Sequence, residues 1–125
     1  MSMFEAGQVW TYHCRPGEEV SRLVVLKVES DADVGTIVHV RVEGLRLRNP
    51  LLRGGYADTV SHMPFTETAL LPGVLTLERT LEKLPNFEAE YAVWRKQFDK
   101  GESGAWTVSL LECLNNLEAA MNSPG

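Results

Sequence analysis

A chain of 125 residues, 44% hydrophobic and 23% charged, has the composition of a globular domain rather than of a disordered segment. A single domain of this length can bury its own core without disulfide or metal staples. The formal charge of −5 argues against nucleic acid as a partner, because phosphate binding rests on clustered Lys and Arg. No apolar run approaches the length of a membrane span, so no membrane partner is expected. The charge is uneven: residues 1–65 carry 7 basic and 8 acidic groups, residues 66–125 carry 5 and 9. Met1 to Ala6 lacks the basic and apolar regions of a signal peptide. A reducing cytoplasm is therefore expected, with Cys14 and Cys113 as structural thiols. A disulfide between them is geometrically open but not expected.

Met1 to Ala6 reads as a frayed lead-in. From Gln8 to Cys14 the alternation of Trp10, Tyr12 and Cys14 with Val9, Thr11 and His13 predicts a strand. Arg15-Pro-Gly-Glu-Glu19 reads as the turn of a hairpin, since Pro16 fixes φ and Gly17 accepts a positive one. The second strand, Ser21 to Glu29, sets Val24, Leu26 and Val28 on one face, yet Leu23 and Val25 make the other apolar too. Such a strand is central in its sheet, or is covered on its second face by a helix or another subunit. The third strand, Thr36 to Arg48, alternates Val38, Val40 and Val42 with His39, Arg41 and Glu43. Beyond Gly44 the apolar positions are Leu45 and Leu47, a change of phase that predicts a β-bulge at Glu43-Gly44.

Asn49 to Ser61, with Pro50, Gly54 and Gly55, reads as a flexible connection. Val60 to Phe65 can form a short fourth strand, confined by Pro64 to an edge or a strand end. Leu70, Val74, Leu77, Leu81 and Leu84 form a helical stripe. It predicts a turn over Thr66–Leu71 and a helix over Pro72–Lys83. A second helix, Phe87 to Lys100, is expected to be capped by Asn86 and to bury Phe87, Tyr91, Trp94 and Phe98. Ala105 to Val108 can extend briefly. Ser109-Leu-Leu-Glu112 matches a capping box opening a last helix to Met121, with Leu110, Leu114, Leu117 and Met121 inward and a frayed tail after it.

The fold expected is α+β in a single domain over residues 1–125, mainly β over 1–65 and mainly α over 66–125. An antiparallel sheet of three to five strands precedes three helices packed on one face. A small barrel of the SH3 type with a helical appendage is the alternative.

Candidate chemistry is sparse. Arg15, Glu18 and Glu19 can form a charged rim that recognises a partner, although an isolated charged turn is more often simply solvated. His39, Arg41 and Glu43 share one strand face, and His62 lies beyond the loop. A histidine with a carboxylate nearby is the minimum for acid–base work. The same residues also describe the wet face of an antiparallel sheet, and that reading is preferred. No motif sets a nucleophile beside a histidine, and His13, His39 and His62 lack metal-ligand spacing. No catalytic residue, metal or cofactor is assigned.

Gly7-Gln-Val-Trp-Thr-Tyr, Arg15-Pro-Gly-Glu-Glu and His62-Met-Pro-Phe together resemble a small family of uncharacterised bacterial proteins of similar length. The resemblance implies a bacterial cytoplasmic setting and no particular activity. The function expected is a non-catalytic interaction module, accessory or immunity-like, that binds another protein through Arg15, Glu18, Glu19, His39, Arg41 and His62; a homodimer is also open. The alternative is a small enzyme or ligand binder with its histidines in a cleft between sheet and helices.

Overall fold

The computed structural model describes residues 2–123. Five strands, β1 (Gln8–Tyr12), β2 (Arg22–Asp31), β3 (Gly35–Arg48), β4 (Tyr56–Thr66) and β5 (Val74–Thr80), form one antiparallel sheet in the order β4-β3-β2-β1-β5. Helix α1 (Glu67–Leu70) and a 3₁₀ turn (Leu71–Gly73) join β4 to β5, and α2 (Glu88–Asp99) and α3 (Leu110–Met121) follow. The architecture is α+β with an antiparallel sheet, as expected.

Strand β2 lies in the middle of the sheet, which accounts for its two apolar faces. Trp10, Leu23, Val25, Val38 and Val40 form the main core with Leu70 of α1 and Leu110, Cys113 and Leu114 of α3. On the opposite face Val9, Val24 and Leu26 are covered by Leu81 and Phe87, and α2 lies over His39. The helices thus divide between the faces: α1 and α3 on one, α2 on the other.

Val28 packs on the main core rather than in a row with Val24 and Leu26. The cause is a register shift between Val25 and Lys27, where one extra residue reverses the alternation. The bulge expected at Gly44 is present. Gly44 has φ +73°, the pairing with β4 shifts between Glu43 and Leu47, and Val42, Leu45 and Leu47 all enter the main core. Gly44 also passes close to Ser21, whose buried hydroxyl donates to the Glu43 carbonyl at 2.6 Å.

Three segments differ from expectation. The lead-in is anchored: Phe4 is buried and packs edge-on to Trp10 at 5.5 Å. Strand β4 begins at Tyr56, leaving only 49–55 as a loop. The helix expected over Pro72–Lys83 is the edge strand β5. The stripe fits a helix, but Leu75 and Leu77 also alternate with Thr76 and Glu78 as in a strand, and the free edge of β1 decides between them by offering backbone partners. His13 N–H donates to Gly73 at 2.9 Å and Leu81 N–H to Gly7 at 2.7 Å, closing both ends of the pairing.

One half of the expected capping box forms, the Ser109 hydroxyl accepting from Glu112 N–H at 3.1 Å; the return bond from Ser109 N–H to the Glu112 side chain is absent among the described residues. Helix α2 has Phe87 at its N-cap, and Asn86 accepts from Glu88 N–H only at 3.4 Å. Trp106 bridges to Phe65, so the expected extension over 105–108 contributes one isolated contact. The expected frayed tail lies partly outside the described residues.

Replacing Gly44 by Ala should lower stability by about 1–3 kcal/mol, because the left-handed backbone disfavours a side chain and the new Cβ would lie 3.0 Å from Ser21 Cα. Urea denaturation measures this. A variant within about 0.5 kcal/mol of wild type would mean that β3 does not need its bend there.

Candidate functional site

The six residues expected to form one binding surface do not form one. They divide between two networks on different parts of the sheet, and Glu19 is exposed with no ion pair among the described residues.

The first network lies at the hairpin turn. Arg15 Nε and Nη2 donate to the two carboxylate oxygens of Glu18 at 2.8 and 3.0 Å, a two-pronged pair. Glu18 is fully buried rather than part of a solvated rim. Its presence inside follows from the length of β3. Strand β2 stops pairing at Arg22 opposite Glu43, so the backbone of Arg46 and Arg48 has no strand on that side. Side chains stand in for the missing strand. Arg46 N–H donates to Glu18 and Arg48 N–H to Glu118, both at 2.6 Å; the Arg46 carbonyl accepts from Arg15 at 3.1 Å and the Arg48 carbonyl from Asn122 at 2.7 Å.

Arg15 also donates to Glu118 of α3 at 2.9 Å, which holds the helix against the turn. Glu18 beside it keeps the guanidinium more firmly protonated, and Arg15 together with Arg48 N–H holds the Glu118 carboxyl below its ordinary pKa. A groove of about 550 Å³ opens here, with Tyr56 and Leu111 on its sides. Arg15, Glu18 and Glu118 are consumed by one another, so Arg15 and Glu18 act as structure, while the Arg46 guanidinium lies over the Tyr56 ring at 4.8 Å.

The second network is centred on His39, which was expected on a wet face and is fully buried. The rings of Tyr91 and Trp94 from α2 meet it edge-on at 5.0 and 4.7 Å, and the His62 ring lies nearly parallel to it (12°) with its centre 5.1 Å away. Two bulges bring the partners together. One is the shift at Val25/Lys27 of β2; the other lies between Val40 and Val42, where Arg41 of β3 faces both Ser61 and His62 of β4.

Proton positions follow from the contacts. His39 Nε2 lies 2.5 Å from Glu29 Oε2, a carboxylate that also accepts from Tyr91 Oη at 3.1 Å and Arg95 Nη1 at 3.0 Å. Nε2 of His39 is therefore the donor, and in a neutral ring Nδ1 is then an acceptor. His62 Nε2, 2.9 Å away, supplies that hydrogen. Nδ1 of His62 is left with its lone pair and no partner among the described residues. Among the described residues every buried side-chain nitrogen and oxygen is hydrogen-bonded, so this atom reaches solvent. The arrangement is a relay from a fixed carboxylate through a buried imidazole to a half-buried one that reaches solvent.

Burial pushes the pKa of His39 down, against the pull of Glu29. Burial likewise lowers His62, with Glu90 opposing. The relay can hold a proton acceptor in a fixed orientation at the surface. None of the hydrogen bonds in the described residues joins a hydroxyl or thiol to either ring, and no group of three His, Cys, Asp or Glu side chains is arranged for a metal there.

Arg41 sits beside the relay but pairs with Glu43 at 2.8 Å. Cys14 and Cys113 are free thiols raised by burial, Cys113 to about 12. Sequence reading missed Glu29, Tyr91, Trp94 and Arg95 as members of this site. The β2–β3 register would have revealed Glu29, since it faces Ile37, two residues from His39.

No protein-family model matches the chain, and no curated protein or solved structure shows significant similarity to it.

Two outcomes test these networks. Arg15→Ala should cost about 3 kcal/mol, because it leaves the Glu18 carboxylate buried without its two-pronged partner; a loss below about 0.5 kcal/mol in urea would reduce the pair to a surface contact. For His39, a folded pKa lowered to about 4 from the ordinary value of about 6.5 means that the unfolded chain binds more protons between those limits. Its contribution to stability is then fully present above about pH 6.5 and falls as the pH drops toward about 4. His39→Gln should flatten that part of the stability–pH curve, and an unchanged slope would exclude His39 as its source.

Proposed function

We propose that the protein is a non-catalytic interaction module that receives an extended segment of another protein along strand β5. The observation that carries this reading is an apolar edge left uncovered. Leu75 and Leu77 are 54% and 44% exposed on a strand whose sole neighbour is β1.

The contrast with the other edge supports it. On β4, Pro64 interrupts the donors, and Trp106 pairs with the Pro64 carbonyl at 2.8 Å and with Thr66 N–H at 3.0 Å. Such guarding is how sheets prevent unwanted pairing. Strand β5 has no comparable cover among the described residues. A sixth strand would satisfy its free backbone groups and cover both leucines, which is the usual economy of strand addition. Arg79, which makes no ion pair among the described residues, would favour an acidic residue in the incoming segment. The free, unreactive thiols agree with a reducing compartment, and the bacterial cytoplasm is the setting we propose.

A second reading, a small-ligand binder at the histidines, is favoured by one observation: the Glu29 carboxylate lies within hydrogen-bond reach of His39, and His39 of His62.

The test is a Leu75→Lys/Leu77→Lys variant. Both side chains are exposed, so stability should change by no more than about 0.5 kcal/mol. Wild type should recover a stoichiometric partner from native extract, or sediment as a dimer if the segment comes from a second copy, and the variant should do neither. Equal recovery of the same partner by both proteins would sink the β5 reading.

A further inference from the structure

We propose that α2 is a releasable cover over the second face of the sheet, latched by the single hydrogen between His39 and His62 and freed when the pair is fully protonated.

The geometry sets the proton capacity of the latch. Two imidazoles offer four nitrogens. His39 Nε2 always carries hydrogen toward Glu29, and the 2.9 Å contact between His39 Nδ1 and His62 Nε2 has room for one hydrogen only. In the neutral pair the remaining nitrogen, His62 Nδ1, is bare. A first added proton goes to this solvent-facing atom and leaves every hydrogen bond intact. A second would have to enter the contact itself, setting N–H against N–H between two adjacent cations. The latch therefore tolerates one added proton and is broken by the second.

What the latch holds is narrow. Trp94 is the one buried residue of α2. Around it the helix is moored by Tyr91 and Arg95 on Glu29, and by the rings of Tyr91 and Trp94 on His39. All of these converge on the relay. The charged groups facing the pair are Lys27 and Glu29 from β2, Arg41 with Glu43 from β3, and Glu90 and Arg95 with Asp99 from α2. Lys27 adds to the repulsion of a doubly charged pair. Glu29 and Glu90 pull the other way, and burial outweighs them at both rings. Repulsion and burial together push toward release.

Release has a defined consequence. Phe87, at the N-cap of α2, shares with Leu81 the cover over Val9, Val24 and Leu26, each nearly inaccessible to water. Lifting the helix takes away Phe87 and leaves Leu81 tied to Gly7, so the apolar patch is opened on one side while the main core, on the other face, stays closed. The device is independent of the β5 reading, since it involves neither Leu75 nor Leu77.

Amide hydrogen exchange resolved by segment tests it, expressed as protection factors so that intrinsic pH effects cancel. Between about pH 7 and pH 4.5, Glu88–Asp99 should lose protection about tenfold or more while β3 keeps its own. His62→Gln can donate the bridging hydrogen but cannot take up a proton, so it should retain protection of α2 across that range. Loss of protection in α2 and β3 together, or the same step in His62→Gln, would overturn the proposal. Nitrogen-15 spectra of the wild-type histidines give a check independent of any variant. Both rings should be Nε2–H tautomers at neutral pH, with His62 taking the first proton. A His39 that charges first would overturn it.

Discussion

Strand β3 is longer than the strand that pairs with it, and much of the molecule answers that excess. A backbone N–H or C=O shut away without a partner costs more than any single hydrogen bond gains. Beyond Glu43 the β2 side of β3 has no strand, so the Arg46 and Arg48 backbone is paired by Glu18, Arg15, Glu118 and Asn122. These side chains come from the hairpin turn and from α3. One shortage of strand thus fixes the turn and docks the last helix. It also explains why a carboxylate is buried in a turn whose sequence reads as solvated. Glu18 has two partners, a backbone donor and a guanidinium, and neither alone would compensate its desolvation.

The middle of the same strand poses a different problem. His39 points away from the main core into a face that α2 closes over, and its ring nitrogens must be satisfied there. The solution takes one partner from each neighbouring strand, Glu29 from β2 and His62 from β4. Each of those strands carries a bulge beside the site. Bulges re-aim side chains at the expense of regular pairing, and two of them flanking one buried imidazole tie the irregularity of the sheet to this cluster. Helix α2 then adds Tyr91 and Arg95 to the same carboxylate. Polar convergence on Glu29 thus joins the aromatic packing of Phe87, Tyr91 and Trp94 in holding it.

Much of this was legible in the sequence where local rules and tertiary demands agree. The hairpin, the bulge at Gly44, the central place of β2 and the capped last helix each rest on periodicity, turn chemistry or capping. Strand β5 reads as a helix because Leu70, Val74, Leu77 and Leu81 fall at helical spacing, while the alternation of Leu75 and Leu77 with Thr76 and Glu78 is too short to outweigh it, and only the free edge of β1 separates the two. The candidate site was legible by residue type and not by grouping. Arg15 with Glu18 and His39 with His62 do meet, but the two pairs belong to different networks. The partner that explains the histidines, Glu29, is hidden by a second bulge that also moves Val28 to the other face. A one-residue insertion in a strand leaves no mark when both faces are apolar.

Stability is therefore distributed unevenly, and the uneven part is where recognition can occur. The main core, with α1 and α3, is joined by apolar packing and by side chains that complete a strand, so opening it would strand several backbone groups at once. Edge strand β5 contributes exposed leucines, and α2 buries Trp94 alone, with Phe87 over the small apolar cluster and Tyr91 and Arg95 on Glu29. Elements so weakly held open at low cost, and the opening of each presents a different chemistry: backbone donors and acceptors along β5, an apolar patch beneath α2. Because the second opening is coupled to protons through a contact with room for a single hydrogen, acidity acts on it selectively. The cover responds to its own latch before the fold as a whole yields.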